Sequence, residues 1–244
     1  MELLENERLE DLECNGLKII QNKNLYTFTS DSVILANFLK IRQNQICVEI
    51  GSGSGVISLL ACAKNPNLKK IYAFEVQEEI SKLCQRNIEL NSLEDKITLF
   101  NDKIQNYDKY LKKNSIDVVF TNPPYFRYIQ SSSERDFGYE NLSRYDKLLS
   151  IKDLVNSIKD LLKDKGKFYI IYDSERSTEL IYELTLARLE PKTLFFTENG
   201  KGSVKLVVIE GVKIGKHGVK VLPNLITNDI NGDYIEKLKT RNFK

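Results

Sequence analysis

The chain has 244 residues, with 36 Lys and Arg against 34 Asp and Glu, and its formal net charge is only +2. This balance excludes a polycationic nucleic-acid binder, although RNA binding needs only one basic face. The length is sufficient for an α/β domain with a large core. The sequence contains neither a signal peptide nor an apolar stretch long enough to cross a bilayer, so we expect a cytoplasmic protein without membrane contact.

Four cysteines are spread along the chain without the spacing of metal ligands. Cys47, Cys62 and Cys84 fall on core-type positions, which predicts buried thiols in a reducing compartment. We therefore expect no metal site in this protein.

A glycine-rich turn stands between a predicted buried strand at residues 47–50 and a predicted helix at residues 56–63. Its glycines, Gly51, Gly53 and Gly55, allow the backbone to turn tightly and to approach a ligand without a Cβ in the way. Strand, glycine turn and helix in this order are typical of a nucleotide-binding turn.

The residues around this turn argue against a bound pyrophosphate. The dinucleotide fingerprint would place its third glycine one position later, where this chain has Val56. Glu49 adds a carboxylate two positions before the first glycine, which suits a cationic ligand group such as an amino-acid ammonium. The alternative is a turn rich in Gly and Ser that binds no ligand.

Acidic residues follow the next two predicted strands. Glu75 follows the strand at residues 70–74, about twenty residues past the glycine turn, where a doubly wound fold places an acid on ribose hydroxyls. Asp102 follows the strand at residues 97–100 and can accept a hydrogen bond from an adenine amino group. The alternative for Asp102 is the N-cap of a helix that starts near Lys103, and its two carboxylate oxygens allow both roles at once.

The run Asn122-Pro123-Pro124-Tyr125 directly follows an apolar run at residues 118–120. Two consecutive prolines cannot continue a central strand, because each lacks an N–H and has a fixed φ. The resulting turn can bind a planar group that bears an NH2. The Asn122 oxygen and the Pro123 carbonyl would accept hydrogen bonds from the two N–H groups of this NH2, and the Tyr125 ring would stack on the face of the planar group. The alternative is an ordinary proline-rich turn.

Strand and helix patterns alternate from residue 46 to about residue 188, including a helix predicted at residues 77–90. This alternation predicts an α/β fold with a doubly wound, mostly parallel sheet. The last two apolar runs, at residues 193–197 and 204–210, are joined by a short turn-rich link and predict an antiparallel hairpin.

The candidate ligand-binding residues all follow predicted strands. In a parallel sheet, ligands bind beyond the carboxyl ends of the strands. We therefore expect Gly51, Glu75, Asp102 and Asn122 to converge on one crevice.

This series of motifs, in this order and spacing, resembles the class I S-adenosylmethionine-dependent methyltransferases. The resemblance implies a seven-stranded Rossmann-like sheet and S-adenosylmethionine as the cofactor. In that family the glycine turn passes under the methionine part of the cofactor, the strand-two acid binds the ribose and the strand-three acid contacts the adenine amine. The cofactor contacts that it implies here are Glu49, Gly51, Gly53, Gly55, Glu75, Asp102 and Asn122.

The Asn-Pro-Pro-Tyr turn marks the members of this family that methylate a planar amine: adenine N6, guanine N2 or a glutamine side-chain amide. The resemblance therefore implies catalytic roles for Asn122, Pro123 and Tyr125. It also implies an enzyme, because the glycines and Asn122 are intact. A non-catalytic RNA-binding protein with a retained cofactor fold is the alternative.

The segment before the glycine strand adds further implied contacts. Residues 26–32 precede a predicted amphipathic helix at residues 33–39, and Ser30 or Asp31 is its expected N-cap. In the amine-methylating members a segment of this kind closes over the methionine end of the cofactor. The contacts implied by this likeness are Thr27, Phe28 and Asp31.

The flanking segments are similar to the bacterial tRNA(Val) adenine-37 N6-methyltransferases, on the strength of a last strand at residues 201–210 and the segment at residues 221–226. This similarity implies N6-methylation of the adenine next to the anticodon, with the anticodon loop of tRNA as the partner. Methylation of rRNA guanine N2, DNA adenine N6 or protein glutamine N5 remains an alternative.

We expect one methyltransferase domain over residues 1–244. Residues 1–40 would hold an N-terminal segment and the cofactor-closing helix, residues 41–210 the catalytic α/β core, and residues 211–244 a C-terminal extension.

Two segments carry a possible RNA role. The long polar and aromatic loop at residues 126–150 is expected to order on RNA, with plain surface disorder as the alternative. Residues 1–13 are charged and amphipathic, which fits either a frayed helix or an RNA-facing arm.

Overall fold

The computed structural model describes residues 2–25, 27–123, 149–229 and 231. These residues form a large mixed sheet with helices on both faces and a separate two-stranded sheet near the N terminus. Pro124 and Tyr125 lie outside the described ranges, as does nearly all of the loop that we expect to order on RNA.

The secondary structure of these residues follows the alternation in the sequence. The strands are β1 Glu7–Asp11, β2 Lys18–Asn22, β3 Ile46–Ile50, β4 Lys70–Phe74, β5 Ile97–Phe100, β6 Ile116–Thr121, β7 Leu162–Asp173, β8 Leu189–Glu198, β9 Val204–Lys213, β10 Lys220–Val221 and β11 Leu225–Ile226. The helices are α1 Ser30–Phe38, α2 Val56–Lys64, α3 Glu78–Leu90, α4 Ile151–Leu161 and α5 Ser177–Leu186, with short 3-10 helices at Ile104–Lys109 and Ser174–Arg176.

The large sheet has the strand order β10-β8-β9-β7-β6-β3-β4-β5, and β11 also pairs with β8. The pairings among β3, β4, β5, β6 and β7 are parallel, while β9 lies antiparallel between β7 and β8. The predicted mostly parallel, doubly wound sheet with an antiparallel hairpin is thereby confirmed. The short β10 and β11 extend it by pairing with the outer edge of β8.

The two faces of the sheet pack into two separate hydrophobic clusters. On β6, Val118 and Phe120 belong to the cluster beneath α1, α2 and α3, whereas Val119 belongs to the cluster beneath α4 and α5. Side chains of a strand alternate between faces, so a strand covered on both sides is apolar throughout. This double coverage explains why Cys47 and Val48 of β3 and residues 118–120 of β6 are apolar without alternation.

Strands β8 and β9 are both longer than their apolar runs suggest. β8 contains Pro191, a residue that normally demotes a strand, and the pairing with β9 shifts register between Pro191 and Thr193. β9 continues through Gly211, where an added Cβ would lie 2.0 Å from Cζ of Phe168. A glycine inside a strand thus makes room for a large ring of the neighbouring strand.

Strand β7 is difficult to delimit from the sequence. Its first residues include exposed Lys163, Asp164 and Lys165, and only residues 168–172 form the buried apolar run. Because the strand starts with charged, exposed residues, its sequence does not show where it begins.

Residues 7–11 belong to a hairpin and not to a frayed N-terminal helix. β1 pairs antiparallel with β2, with Glu7 opposite Asn22. Ile19 and Ile20 of β2 are buried, whereas every residue of β1 is exposed or half-buried. Because neither face of β1 is buried, its sequence lacks the alternation by which a strand is recognised.

Helix α1 differs from the prediction at its first turn. Its N-cap is Thr29, in extended backbone and without a side-chain capping bond, so Ser30 and Asp31 are already helical. The predicted cap is therefore wrong by one or two residues, although the helix itself is present.

The prediction that three of the cysteines are buried thiols is confirmed. Cys47, Cys62 and Cys84 are buried and unbridged, and burial raises the pKa of the Cys62 thiol to about 12. In the described part of the chain, no helix is both long and apolar enough to span a membrane.

Candidate active site

The candidate residues lie at one edge of the sheet because of strand register. Ile50, Phe74 and Phe100 are aligned across β3, β4 and β5, and Ile50 is also aligned with Thr121 of β6. The residue after each of these strand ends therefore emerges at the same carboxyl edge. Three short hydrogen bonds join the loops there, from Gly53 N–H to Glu75 Oε2, from Thr121 Oγ1 to the Ile50 carbonyl and from Asn101 Nδ2 to the Glu75 carbonyl.

The glycine turn has a left-handed backbone at three positions, with φ of +71° at Gly51, +54° at Gly53 and +89° at Gly55. An added Cβ at Gly51 or Gly53 would meet no described atom within 4 Å, so the turn has an open side. At Gly55, by contrast, it would lie 2.8 Å from Sγ of Cys84. The turn is therefore open towards one side and tightly packed on α3 at its end.

Glu49 is a fully buried carboxyl group beneath this turn. Its Oε2 accepts a hydrogen bond from Ser58 Oγ, while Oε1 has no hydrogen-bond partner among the described residues. Burial raises the pKa of Glu49 to about 8, and the nearby Glu75 adds to the rise. An unsatisfied buried carboxylate oxygen of this kind matches a cationic ligand group that would supply the missing partner.

Glu75 is buried at the end of β4 and helps to shape the glycine turn. Its Oε2 accepts from Gly53 N–H and its Oε1 from Gln77 N–H, each at 2.9 Å. Burial raises the pKa of Glu75, and the backbone hydrogen bonds oppose that rise. Each carboxylate oxygen can accept a second hydrogen bond, so the group retains the capacity to bind hydroxyls.

Asp102 accepts more hydrogen bonds than Glu49 or Glu75 does. Its Oδ1 accepts from Lys103 N–H and Asn106 Nδ2, and its Oδ2 accepts from Lys109 Nζ and Tyr110 Oη. These bonds, with that of Asn106 first, hold its pKa well below the ordinary range. A carboxylate has about four acceptor positions, so an adenine amine could bind here only in place of one of these donors. The expected contact of Asp102 with an adenine amine stays a prediction.

The formal N-cap of the 3-10 helix after β5 is Lys103, which makes no side-chain capping bond. Asp102 instead anchors this segment through four hydrogen bonds. Asp102 therefore stabilises the start of this helix as predicted, but the N-cap position itself is one residue later, at Lys103.

Asn122 follows β6 and is connected to α1. Its Nδ2 donates to Oγ of the buried Ser32 at 3.1 Å. This contact places the amine end of the amide against α1 and leaves Oδ1 as the acceptor of the side chain. Pro123 is buried directly after it, and Tyr125 lies outside the described residues.

The remaining predicted contacts lie on the segment that leads into α1. Thr27 and Phe28 are half-buried, and Phe28 packs against the cluster beneath α1 to α3. Asp31 is half-buried, its pKa is raised by burial, and Ser30 Oγ donates to it. Because Ser32 contacts Asn122, this segment is joined to the end of β6.

Sequence reasoning missed Ser32 and Ser58. Both are serines within apolar helical runs. Ser58 contacts the Glu49 carboxyl group and Ser32 contacts the Asn122 amide, and both contacts result from tertiary packing. No group of three or more His, Cys, Asp or Glu suited to a metal ion occurs in the part of the chain that the structure describes.

Comparison with known proteins gives a consistent result. Residues 26–137 match the family described as methyltransferase small domain. The chain is 28% identical over 206 residues to a protein of Dyadobacter fermentans named tRNA1(Val) (adenine(37)-N6)-methyltransferase, covering 83% of this chain and 82% of that protein. A protein of the same name from Shewanella halifaxensis is 27% identical over 185 residues, covering 75% and 73% of the two chains.

Solved structures share the fold at low sequence identity. A predicted O-methyltransferase from Agrobacterium tumefaciens superposes with a TM-score of 0.68 at 12% identity, over 88% of this chain and 98% of that one. The geranyl diphosphate C-methyltransferase of Streptomyces coelicolor, crystallised with S-adenosyl-L-homocysteine, gives 0.56 at 12% identity, over 75% and 77%.

The residues at the carboxyl edge fit the cofactor of this family. The open side of the glycine turn and the unpartnered Oε1 of Glu49 match an amino-acid moiety with an ammonium group. The matched segment, the named relatives and the shared fold support the resemblance to the class I S-adenosylmethionine-dependent methyltransferases, and S-adenosylmethionine is the expected cofactor.

Proposed function

We propose that this enzyme methylates N6 of an adenine in RNA, and that its substrate is adenine 37 of tRNA(Val) in the cytoplasm. The observation that carries the proposal is the position of the Asn122 amide, which follows β6 at the carboxyl edge of the sheet and contacts Ser32 of α1. A target amine is a donor, so it requires an acceptor at this position. The names of the relatives support the choice of RNA and of the position within it.

The proposed mechanism is mainly one of alignment. When bound, the cofactor supplies a sulfonium methyl group that is already activated for transfer. The adenine amine is a weak nucleophile, because its lone pair is delocalised into the ring. Asn122 Oδ1 and the Pro123 carbonyl would accept hydrogen bonds from the two N–H groups of the amine. These bonds would favour a pyramidal nitrogen and stabilise the positive charge that develops on it during transfer. Holding two reactants in line can supply about 7–11 kcal/mol of the barrier.

The target base must leave its stack before it can reach this edge. An adenine in an anticodon loop is already single-stranded, so turning it out is less unfavourable than in a duplex. We propose that stacking of the base on Tyr125 offsets about 1–3 kcal/mol of the free energy needed to turn the adenine out of its stack. This residue lies outside the described ranges, so its role rests on the motif.

The proposed cofactor contacts divide by chemistry. Glu49 would bind the ammonium, the turn at Gly51, Gly53 and Gly55 the methionine moiety, and Glu75 the ribose hydroxyls. Asp102 would reach the adenine amine only by exchanging Lys109 or Tyr110 for it. Thr27, Phe28 and Asp31 would close over the methionine end, next to Asn122.

We expect binding of the cofactor to release a proton through Glu49. The pKa of this carboxyl is raised from 4.5 to about 8, so between these values the folded protein holds a proton that the unfolded chain has lost. The carboxyl therefore destabilises the fold as pH rises from 4.5 to 8. An ammonium requires the ionised form, so binding near pH 6.5 should release about one proton from Glu49.

Calorimetry with S-adenosylhomocysteine in two buffers of different ionisation enthalpy measures this release. Glu49→Gln should abolish it, because the amide does not titrate. An unchanged proton release in Glu49→Gln would contradict the assignment of Glu49 to the ammonium.

The substrate is tested with a tritiated methyl group on S-adenosylmethionine and separate pools of tRNA, rRNA, DNA and protein. The proposal predicts label in tRNA, recovered as N6-methyladenosine at position 37 of tRNA(Val). Label found only in rRNA guanine, DNA or protein would replace the proposed substrate by the corresponding alternative. Absence of transfer to all four pools, with the cofactor bound, would favour a non-catalytic RNA-binding protein.

A further inference from the structure

One buried side chain joins three elements beside the glycine turn. Asn87 lies on the inner face of α3 and is fully buried. Its Oδ1 accepts a hydrogen bond from Ile20 N–H at 2.7 Å, and its Nδ2 donates to the carbonyls of Ile20 at 3.1 Å and Ser54 at 3.0 Å. Helix α3, the β1–β2 hairpin and the glycine turn therefore meet at a single amide.

The chemistry of its partners sets the orientation of this amide. A backbone N–H can only donate, so the Asn87 atom that faces Ile20 N–H must be the oxygen. The NH2 end then faces two carbonyls, and each of its protons has an acceptor. A fully satisfied buried polar group of this kind rigidifies the elements that it joins.

The glycine turn is held from two sides. Glu75 accepts from Gly53 N–H on one side. On the other side, Cys84 of α3 lies so close to Gly55 that a Cβ there would be 2.8 Å from its Sγ. The Ser54 carbonyl lies between these two fixed points and is bound by Asn87. Loss of the Asn87 bond would therefore free the middle of the turn while leaving its ends in place.

We propose that Asn87 is a positioning residue for the cofactor. It holds the glycine turn in its binding conformation through the Ser54 carbonyl, and it links that conformation to docking of the N-terminal hairpin. The proposal depends on the cofactor and not on the identity of the methyl acceptor. Linkage is reciprocal, so if hairpin docking favours cofactor binding, cofactor binding favours docking by the same factor.

Asn91 supplies a matched control one helical turn further along α3. It accepts from Lys18 N–H at 2.9 Å and donates to the Lys18 carbonyl at 2.7 Å, the same pair of bonds to β2 that Asn87 makes at Ile20. Its third bond goes to the Asn87 carbonyl, and none of its hydrogen bonds to described residues goes to the glycine turn. The two residues thus share a role in hairpin docking and differ in the contact to Ser54.

The test compares the affinity of Asn87→Ala and Asn91→Ala for S-adenosylhomocysteine by calorimetry, with the thermal midpoint of each unliganded variant. We expect Asn87→Ala to raise the Kd about tenfold and Asn91→Ala to leave it within about twofold, and we expect the larger loss of thermal stability in Asn87→Ala, whose backbone partners are buried. Equal effects on Kd, or an unchanged Kd in Asn87→Ala, would overturn the proposal.

Hydrogen exchange on the wild-type chain supplies a second measurement that needs no folded variant. Adding S-adenosylhomocysteine should slow exchange at the amide of Ile20 in the hairpin as well as at Gly53 and Gly55 in the turn. Slower exchange in the turn with no change at Ile20 would show that the hairpin is not linked to cofactor binding. Failure of the proposed RNA substrate would change neither experiment, because both use the cofactor product alone.

Discussion

Replacement of Asn122 by alanine is expected to lower kcat for methyl transfer by about 10²–10³-fold, the effect of removing one preorganised group that stabilises a transition state. The variant loses the oxygen that would accept from the target amine, while the glycine turn, Glu49 and Glu75 are unchanged. The Kd for S-adenosylhomocysteine should therefore remain within about threefold of wild type. Single-turnover kinetics and calorimetry on the same preparation measure the two quantities.

Asn122→Asp is the matched control for this prediction. The carboxylate keeps an acceptor oxygen of the same size but cannot donate to Ser32 Oγ, so we expect an activity between those of the wild type and Asn122→Ala. Loss of cofactor affinity equal to the loss of turnover in Asn122→Ala would count against a role in catalysis.

Glu75→Ala is expected to have the opposite profile. This carboxylate is proposed to bind two ribose hydroxyls, and hydrogen bonds to a charged group contribute about 1.5–3 kcal/mol each. Loss of about 3 kcal/mol corresponds to a roughly hundredfold higher Kd for the cofactor. The Gly53 N–H also loses its acceptor, which acts in the same direction. Calorimetry with S-adenosylhomocysteine measures the change.

Two further variants control the Glu75 prediction. Glu75→Gln keeps one acceptor oxygen, so its Kd should rise by about tenfold. Glu78→Ala removes an exposed carboxylate three residues away, which is paired with Lys82, and should leave the Kd unchanged. A Kd in Glu75→Ala within threefold of wild type would remove Glu75 from the cofactor site.

The edge of the sheet could be predicted because strand ends are local features of the sequence. The glycine turn, Glu75, Asp102 and Asn122 each follow a short apolar run, and parallel pairing with aligned register is enough to bring them to one edge. The alternation of patterns also predicted the helix at residues 77–90, which the structure has as α3. These conclusions need only the order and spacing of the elements.

The contacts between distant elements could not be predicted in the same way. Asn122 meets Ser32 across 90 residues, and Asn87 meets Ile20 across 67. Such pairs depend on how α1 and the hairpin pack, and no sequence pattern around Asn122 or Asn87 identifies the residue that it contacts. The donors to Asp102 are near it in sequence, but their side-chain conformations decide whether they bind the carboxylate, so the sequence does not predict these bonds.

The proposed reaction requires that a target amine and the cofactor meet at Asn122. A crystal structure with S-adenosylhomocysteine and an anticodon stem-loop that contains adenine 37 tests this directly. We predict the adenine outside its stack, with N6 about 3 Å from both Asn122 Oδ1 and the Pro123 carbonyl, the ordinary distance for such hydrogen bonds, and facing the cofactor sulfur. A complex in which the cofactor occupies the glycine turn while Asn122 contacts neither the base nor any other amine would contradict it.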